Sequence, residues 1–175
     1  FKPYWNLLKT RDVIGVDFTH KFGYGATMIN IGVNGIVCAI LVILIGSDLN
    51  GPSIGCIFTV IGFSATGKHL FNILPIMFGL WLGTLIGVYE ITGHGVVIAF
   101  LLSTTLAPIS SRCGVLAGVM AGFVHLCVSQ SVGVLYGGMN LYNNGFAGGL
   151  VAAFLVPVLE SIESRRARAR GNIDL

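Results

Sequence analysis

Charged side chains are scarce in this chain of 175 residues, and that scarcity excludes a soluble globular domain. Asp, Glu, Lys and Arg together make up 10% of the sequence, whereas they make up about a quarter of a typical soluble domain. Hydrophobic residues make up 54%, and the mean hydropathy is +0.86. The sequence therefore predicts an integral membrane protein whose partner is the lipid bilayer. The small net charge of +3 gives no reason to expect a nucleic acid partner.

Several chemical signatures are also missing. The sequence contains no Cys-x-x-Cys pair and no His-Glu-x-x-His zinc motif, and its four cysteines lie in or beside apolar segments, as is typical of buried free thiols. Ser64 lies in GFSATG, but no nucleophile elbow or serine–histidine pair follows from that segment. Carboxylates are few, and none lies in the middle of an apolar stretch. We therefore expect no metal, no cofactor and no enzymatic activity, and we keep a membrane-embedded enzyme as an alternative.

Six apolar stretches run along the chain, and Lys and Arg occur only in alternate gaps between them. The stretches cover residues 26–46, 53–66, 70–89, 95–110, 113–136 and 145–159. One set of gaps contains Lys21, Lys68, Arg112 and a basic tail, whereas the other contains Asp48, Glu90 and a Gly/Asn-rich segment. An excess of Lys and Arg is typical of cytoplasmic loops. The pattern predicts an all-α polytopic bundle in the cell membrane, with both ends of this chain cytoplasmic and with Lys68 and Arg112 as topology markers in turns.

The chain divides into three predicted segments. Residues 1–20 mix aromatic and charged side chains, which indicates an interfacial segment on the cytoplasmic face. Residues 21–160 form the predicted transmembrane domain, and residues 161–175 form a basic cytoplasmic tail that suits anionic lipid. The sequence begins with Phe1 rather than Met, and we expect the C-terminal part of a longer protein.

The apolar stretches alternate between long and short. Residues 53–66, 95–110 and 145–159 contain 14, 16 and 15 residues, whereas about 20 residues are needed to cross the hydrocarbon core. These short stretches are rich in Gly, Pro, Ser and Thr, which favours broken or half-depth helices of the kind that line transport pathways. Six ordinary helices in a thin or tilted arrangement are the alternative.

A weak internal repeat emerges when the chain is shifted by 39 residues. Ser64-Ala65-Thr66 then falls on Ser103-Thr104-Thr105, and Gly79-x-x-x-Gly83 falls on Gly118-x-x-x-Gly122. An even number of crossings separates the two helix hairpins, so a true repeat has to be parallel rather than inverted. Small residues four apart allow helices to approach closely, and we interpret both glycine pairs as packing sites.

Polar side chains in the apolar stretches are the candidate substrate-binding or pore-lining residues, because a polar group in a bilayer is costly unless it is paired. They are Asn30, Asn34, Ser64, Thr66, Asn72, Ser103, Thr104, Thr105 and His125. Asn30 and Asn34 share one helix face and suit a neutral polar solute or a partly dehydrated cation, with an interhelical hydrogen bond as the alternative. The hydroxyl groups satisfy broken-helix backbone or line a path. Asn72 caps carbonyl groups freed by Pro75 or faces the same cavity, and His125 carries a proton, contacts substrate or is structural.

Two further groups of candidates lie at the predicted outer face. Asn140, Asn143 and Asn144 belong to a Gly/Asn-rich segment that tolerates tight irregular backbone. We predict that these amides form a ring at the outer mouth, with the last helix beginning near Asn144. Glu90 and His94 form a small titratable cluster, for which pH sensing is one hypothesis and a solvated loop is the other.

The segments GFSATGKHLFNILPI, TLAPIS and LYNNGFAGG together resemble an uncharacterised family of bacterial multi-pass membrane proteins, domain of unknown function 1576. The resemblance covers nearly the whole chain and implies the C-terminal half of a protein about twice as long. It implies no activity and no functional residues. The turn at Leu141-Tyr142-Asn143-Asn144-Gly145 is also similar to one in urea-transporter-type channels, although the further motifs of those channels are missing.

Three functions agree with these features of the sequence. A channel or transporter for a small polar solute or ion accounts for the short stretches, the weak repeat and the grouped polar residues. A structural or assembly subunit of a membrane complex is the first alternative, and an embedded enzyme is the second. In each case we expect an N-terminal half or a companion chain as a partner, and a homo-oligomer, because six short spans make a small bundle.

Overall fold

The computed structural model describes residues 2–11, 13–86, 88–137 and 140–169, and every regular element in them is helical. Side chains are outside the description at Val134, Tyr136, Asn140, Leu141, Arg166, Ala167 and Ala169. The α-helices are α1 (Lys2–Leu8), α2 (Phe18–Phe22), α3 (Tyr24–Leu44), α4 (Gly51–Phe63), α5 (Leu70–Thr84), α6 (His94–Leu102), α7 (Ala107–Cys113), α8 (Val115–Ser131) and α9 (Asn140–Ala169). Two 3₁₀ segments, Ser103–Leu106 and Val132–Tyr136, lie between them. The predicted all-α architecture is confirmed.

Three helical segments of the described chain are long and apolar enough to cross a membrane. They are Tyr24–Leu44, His94–Cys113 and Tyr142–Arg165, and three shorter apolar helices, Gly51–Phe63, Leu70–Thr84 and Val115–Ser131, pack with them. Many large apolar side chains on the outside of the bundle are exposed, including Ile36, Phe58 and Phe154. A surface of this kind requires a lipid environment, so the protein is a helical membrane bundle.

The predicted alternation of long and short helices is present in part. The second stretch forms α4, which ends at Phe63 after 13 residues. The fourth contains the 3₁₀ segment Ser103–Leu106, but it belongs to a helical segment of 20 residues, His94–Cys113, that is long enough to cross a membrane. The third and fifth, predicted as long spans, form the shorter helices Leu70–Thr84 and Val115–Ser131. The sixth stretch is different, because α9 contains 30 residues and the prediction of a short helix there is wrong. Its C-terminal part is rich in Glu, Arg and Ala, which are strong helix formers, so the helix continues well beyond the apolar residues.

The most extensive helix pairing in the described chain joins α5 to α8 through glycine. A Cβ atom added at Gly79 would overlap the carbonyl oxygen of Val119, and one added at Gly122 would overlap the carbonyl oxygen of Ile76. We call this contact the glycine seam. It confirms that the glycine pairs are packing sites, since only glycine lets the two backbones meet this closely.

The glycine seam also gives the direction of the two helices. Residues later in α5 meet residues later in α8, from Pro75 against Gly118 to Gly83 against Leu126, so α5 and α8 run parallel, as the proposed repeat requires. The seam contacts are exchanged by a shift of 43 residues, which carries Ile76 to Val119 and Gly79 to Gly122. The packing register of α5 and α8 therefore differs by about one helical turn from the shift of 39 in the sequence.

The N-terminal segment folds against the bundle. Leu7, Val13, Phe18 and Ala26 form a small buried apolar cluster, and the backbone N–H of Phe18 donates to the carbonyl oxygen of Ala65 at 3.0 Å. The segment therefore covers the connection between α4 and α5 and does more than lie at an interface.

Some connections between helices lie close together. Lys9, Arg11, Arg112 and Glu163 line one groove, and Gly46 lies against Thr92 in two of the connections without Lys or Arg. These two groupings agree with the charge pattern, whereas the side chain of Lys68 is buried.

Candidate functional site

The connection between α4 and α5, residues 64–69, turns inside the bundle, and we call it the Lys68 turn. At the end of α4 the Ser64 hydroxyl donates to the carbonyl oxygen of Val60 at 2.7 Å. Gly67 has φ of +146°, and a Cβ atom there would lie 3.0 Å from the carbonyl oxygen of Val13. The turn requires glycine at this position for both reasons.

Asn30 and Asn34 of α3 hold the Lys68 turn in place. Asn30 Nδ2 donates to the carbonyl oxygens of Ser64 at 2.8 Å and of Lys68 at 2.7 Å. Asn34 Nδ2 donates to the Ser64 hydroxyl at 2.7 Å and to the Lys68 carbonyl oxygen at 3.2 Å. Both amides are fully buried, and their N–H groups satisfy carbonyl groups that the end of α4 leaves free. The i, i+4 pair therefore positions backbone, which is the interhelical alternative given by the sequence.

The side chain of Lys68 points into the bundle, although the sequence indicated a topology marker. It is 6% exposed. Its Nζ donates to Thr104 Oγ1 at 2.9 Å and lies 5.1 Å from the centre of the Phe63 ring, a distance typical of a cation–π contact. Burial lowers the pKa of Lys68 from its ordinary 10.5 to about 8. A titratable ammonium group therefore lies where the fourth stretch is broken.

Asn72 and His69 complete the turn where α5 begins. Asn72 Oδ1 accepts from the backbone N–H of His69 at 2.9 Å, and Asn72 Nδ2 donates to the Gly67 carbonyl oxygen and the Ser111 hydroxyl, both at 2.9 Å. His69 Nε2 lies 3.1 Å from the carbonyl oxygen of Thr10. Asn72 thus caps the start of α5 and joins it to α7, instead of capping carbonyl groups freed by Pro75.

Hydroxyl groups satisfy the backbone at the 3₁₀ segment. Ser103 Oγ donates to the Phe100 carbonyl oxygen at 2.9 Å, and Thr104 Oγ1 donates to the Leu101 carbonyl oxygen at 2.7 Å while it accepts from Lys68. Pro108 supplies no N–H to this region. The predicted role of hydroxyl groups at a broken helix is present here for Ser103 and Thr104.

A cavity of about 150 Å³ adjoins Lys68. It is lined by Val13, Phe63, Thr66, Gly67, Lys68, Thr105, Ala107 and Pro108. Thr66 and Thr105 are both exposed, unlike the buried Ser64 and Thr104 beside them. The structure therefore brings candidates from both halves of the sequence repeat to one cavity, with a lysine between them.

A second buried polar pair lies beyond the 3₁₀ segment. His125 Nε2 of α8 lies 3.0 Å from Asn144 Oδ1 of α9. Gly148 of α9 lies between this pair and the 3₁₀ segment, because a Cβ atom at Gly148 would lie 3.7 Å from Thr105 Cγ2 and 4.0 Å from His125 Cε1. These neighbours of Gly148 are carbon atoms, so the pair and the 3₁₀ segment are close in space through an apolar contact.

The predicted ring of amides at the outer mouth stays a prediction, and the structure describes the side chains of two of its three residues. Asn143 and Asn144 are 2% and 4% exposed, because α9 begins at Asn140 and carries both side chains into the bundle. The side chain of Asn140 lies outside the described part of the chain. Glu90 and His94 are exposed, and the carbonyl oxygen of Glu90 accepts from Gly93 in a surface turn.

Sequence reasoning missed Lys68 as a site residue, although the sequence contains two signals. Lys68 is the single Lys or Arg between Lys21 and Arg112. In addition, α4 is 13 residues long and spans about 20 Å. The short connection that follows it therefore does not extend far from the bundle. A basic residue in that position has little access to water.

Comparison with known proteins identifies the family. No curated protein and no solved structure matches the chain, so the similarity to urea-transporter-type channels has no support. The model of the family described as "Protein of unknown function (DUF1576)" matches residues 1–161, most of the chain. The chain therefore belongs to the DUF1576 family.

Proposed function

We propose that this protein is a membrane channel or transporter for a small polar solute or ion. The observation that carries the proposal is the presence of two buried polar contacts, Lys68 with Thr104 and His125 with Asn144. Both lie in a bundle whose core is otherwise apolar.

The cost of burying these groups supports the proposal. An ionisable side chain in an apolar bundle is expensive, and such groups in membrane proteins generally mark substrate or ion pathways. Hydrogen bonds to the turn account for the Nδ2 groups of Asn30 and Asn34, and the carbonyl groups that accept them do not depend on which side chain stands at position 68. The ammonium group of Lys68 is therefore not needed to hold the turn.

The N-terminal segment, which covers the Lys68 turn, supports a pathway that can open and close. Val13 lines the cavity, and Phe18 is bonded to Ala65 of the Lys68 turn. Displacement of this segment would open the cavity toward the basic face, so we propose that it closes the pathway at that side.

Solute flux in proteoliposomes tests the proposal. Thr104→Val removes the hydroxyl that accepts from Lys68, and Thr59→Val is the matched control, because exposed Thr59 also donates to a carbonyl oxygen of its own helix. We expect flux of at least one small solute in the unmodified protein, a reduction of roughly tenfold in Thr104→Val and no change in Thr59→Val.

Two results would contradict the proposal. One is the absence of flux across a panel of small neutral solutes, cations and anions with folded protein. The other is equal flux in the unmodified protein, Thr104→Val and Asn144→Leu, because the two buried polar contacts would then have no part in transport.

A further inference from the structure

We infer that the cavity beside Lys68 binds a small monovalent anion. This inference rests on the proposed transport function, because it assigns a solute class to the same site. It follows from the charge in the cavity, the hydrogen-bond donors around it and its size.

The positive charge of Lys68 has no acidic partner among the residues that the structure describes. In that part of the chain one ion pair forms, and it joins Arg112 to Glu160. The recorded contacts of the Lys68 ammonium group are the hydroxyl of Thr104 and the ring of Phe63. A buried charge is normally paired, and an anion in the adjoining cavity would supply the missing partner.

The groups around the cavity favour an anion over a cation. An ammonium group carries three N–H donors and no acceptor, and Thr66 and Thr105 add hydroxyl groups to the lining. No Asp or Glu lines the cavity among the residues that the structure describes. A cation would meet the repulsion of Lys68 without a carboxylate to offset it.

The size of the cavity and the chemistry of its wall further restrict the class of anion. A volume of about 150 Å³ holds about five water molecules, because each takes roughly 30 Å³ in the liquid. Chloride, nitrate, formate and acetate are small enough for this space. Val13, Phe63 and Pro108 make most of the wall apolar, which suits a weakly hydrated anion, and one lysine balances one negative charge.

Binding and flux are measured on the full chain with sodium nitrate and sodium acetate, and sodium gluconate serves as the control, because its five hydroxyl groups do not suit the apolar wall. Lys68→Met removes the charge and keeps the length of the side chain, whereas Lys68→Arg keeps the charge. Lys21→Met is the matched control, because Lys21 is exposed and also lies over an aromatic ring, that of Phe22 at 5.5 Å. Circular dichroism and monodispersity establish that each variant is folded.

We expect nitrate or acetate, but not gluconate, to bind the unmodified protein and Lys21→Met. Binding and anion flux should fall at least tenfold in Lys68→Met and be largely retained in Lys68→Arg. Flux of neutral solutes or cations alone would overturn the anion assignment and leave the transport proposal standing. Nitrate binding that depends on Lys68, without flux of any solute, would support the anion site and overturn transport. Equal nitrate binding in folded Lys68→Met would overturn the site.

Discussion

The glycine seam and the Lys68 turn both bury peptide carbonyl groups, but they accommodate them in opposite ways. In the seam, Gly79 and Gly122 remove every side-chain atom, so that the carbonyl oxygens of Val119 and Ile76 pack directly against the facing helix. In the turn, the amides of Asn30 and Asn34 donate hydrogen bonds to the backbone. The seam leaves no space and carries no charge, whereas the turn lies beside a cavity and a buried lysine. Close packing and the cavity thus lie in different parts of one small bundle.

The largest expected effect comes from adding a methyl group to the seam. Gly122→Ala places its Cβ atom on the carbonyl oxygen of Ile76 and close to the backbone N of Leu80, and backbone cannot rotate away as a side chain can. Overpacking typically costs 1–3 kcal/mol, and we expect about 3 kcal/mol or more here, measured by reversible unfolding in detergent.

Gly55→Ala is the control for this variant. Gly55 lies in α4 with no atom within 4 Å of an added Cβ, so the higher helix propensity of alanine should stabilise it by up to about 1 kcal/mol. If Gly122→Ala and Gly55→Ala had the same effect, the seam would not be the close contact described above.

The seam and the turn also differ in how far the sequence predicts them. The spacing of Gly79, Gly83, Gly118 and Gly122 is local, and it was enough to predict close packing. The packing register of α5 against α8 was not predictable. The shift of 43 residues that relates the two sides of the seam is visible only in the contacts between the helices. The hydroxyl and proline residues around Ser103 likewise predicted the 3₁₀ break from local chemistry.

The parts of the site that the sequence did not predict depend on tertiary contacts. A lysine between two apolar stretches has the same pattern whether it faces water or the bundle, so the burial of Lys68 required the positions of α3 and the 3₁₀ segment. Asn143 and Asn144 have the composition of an irregular loop. Packing against His125 and the rest of the bundle places them in α9 instead, since tertiary contacts override propensity.

The second prediction distinguishes the effect of Lys68 on stability from its effect on anion binding. Its pKa falls from 10.5 to about 8, and each unit corresponds to about 1.4 kcal/mol, so Lys68→Met should stabilise the protein at pH 7 by roughly 3 kcal/mol. A gain in stability with a loss of anion binding is typical of a functional residue, whereas a structural lysine would lose both.

The pH dependence of stability follows from the same pKa. Below about pH 8 Lys68 is charged in the folded and unfolded states, and the full cost of burial is present. Between about pH 8 and 10.5 the unfolded state binds more protons, so the free energy of unfolding rises with pH. We expect this rise in the unmodified protein and its absence in Lys68→Met. Cys38 of α3 also interacts electrostatically with Lys68, and His69 is its buried neighbour, so the rise should persist in Cys38→Ala and in His69→Gln.

The third prediction concerns the amides that hold the turn. Asn30→Leu keeps the side-chain size but leaves the Ser64 carbonyl oxygen without its amide donor. An unsatisfied buried acceptor costs about 1–3 kcal/mol, and we expect about 2 kcal/mol in the same unfolding measurement. Met28→Leu, on the exposed side of α3, should change stability by less than about 0.5 kcal/mol. An equal effect of the two variants would mean that the turn does not depend on Asn30.

The smallest effect is expected where neither burial nor tight packing is involved. Arg112 and Glu160 form an ion pair at 3.0 Å with 59% and 46% of their side chains exposed, and exposed pairs contribute about 0–1 kcal/mol. Glu160→Gln should therefore lower stability by less than about 1 kcal/mol, with the difference reduced further in 0.5 M salt because exposed charges are screened.

The same ion pair carries topological information, because it joins α7 to α9 and places Arg112 on the same face as the basic end of α9. Cysteine substitutions at these two positions should form a cross-link with a short bifunctional reagent in membranes. Lys9→Cys is the reference for labelling by a membrane-impermeant reagent. If neither Arg112→Cys nor Glu160→Cys reacted from the side that labels Lys9→Cys, the grouping of these basic connections would be wrong.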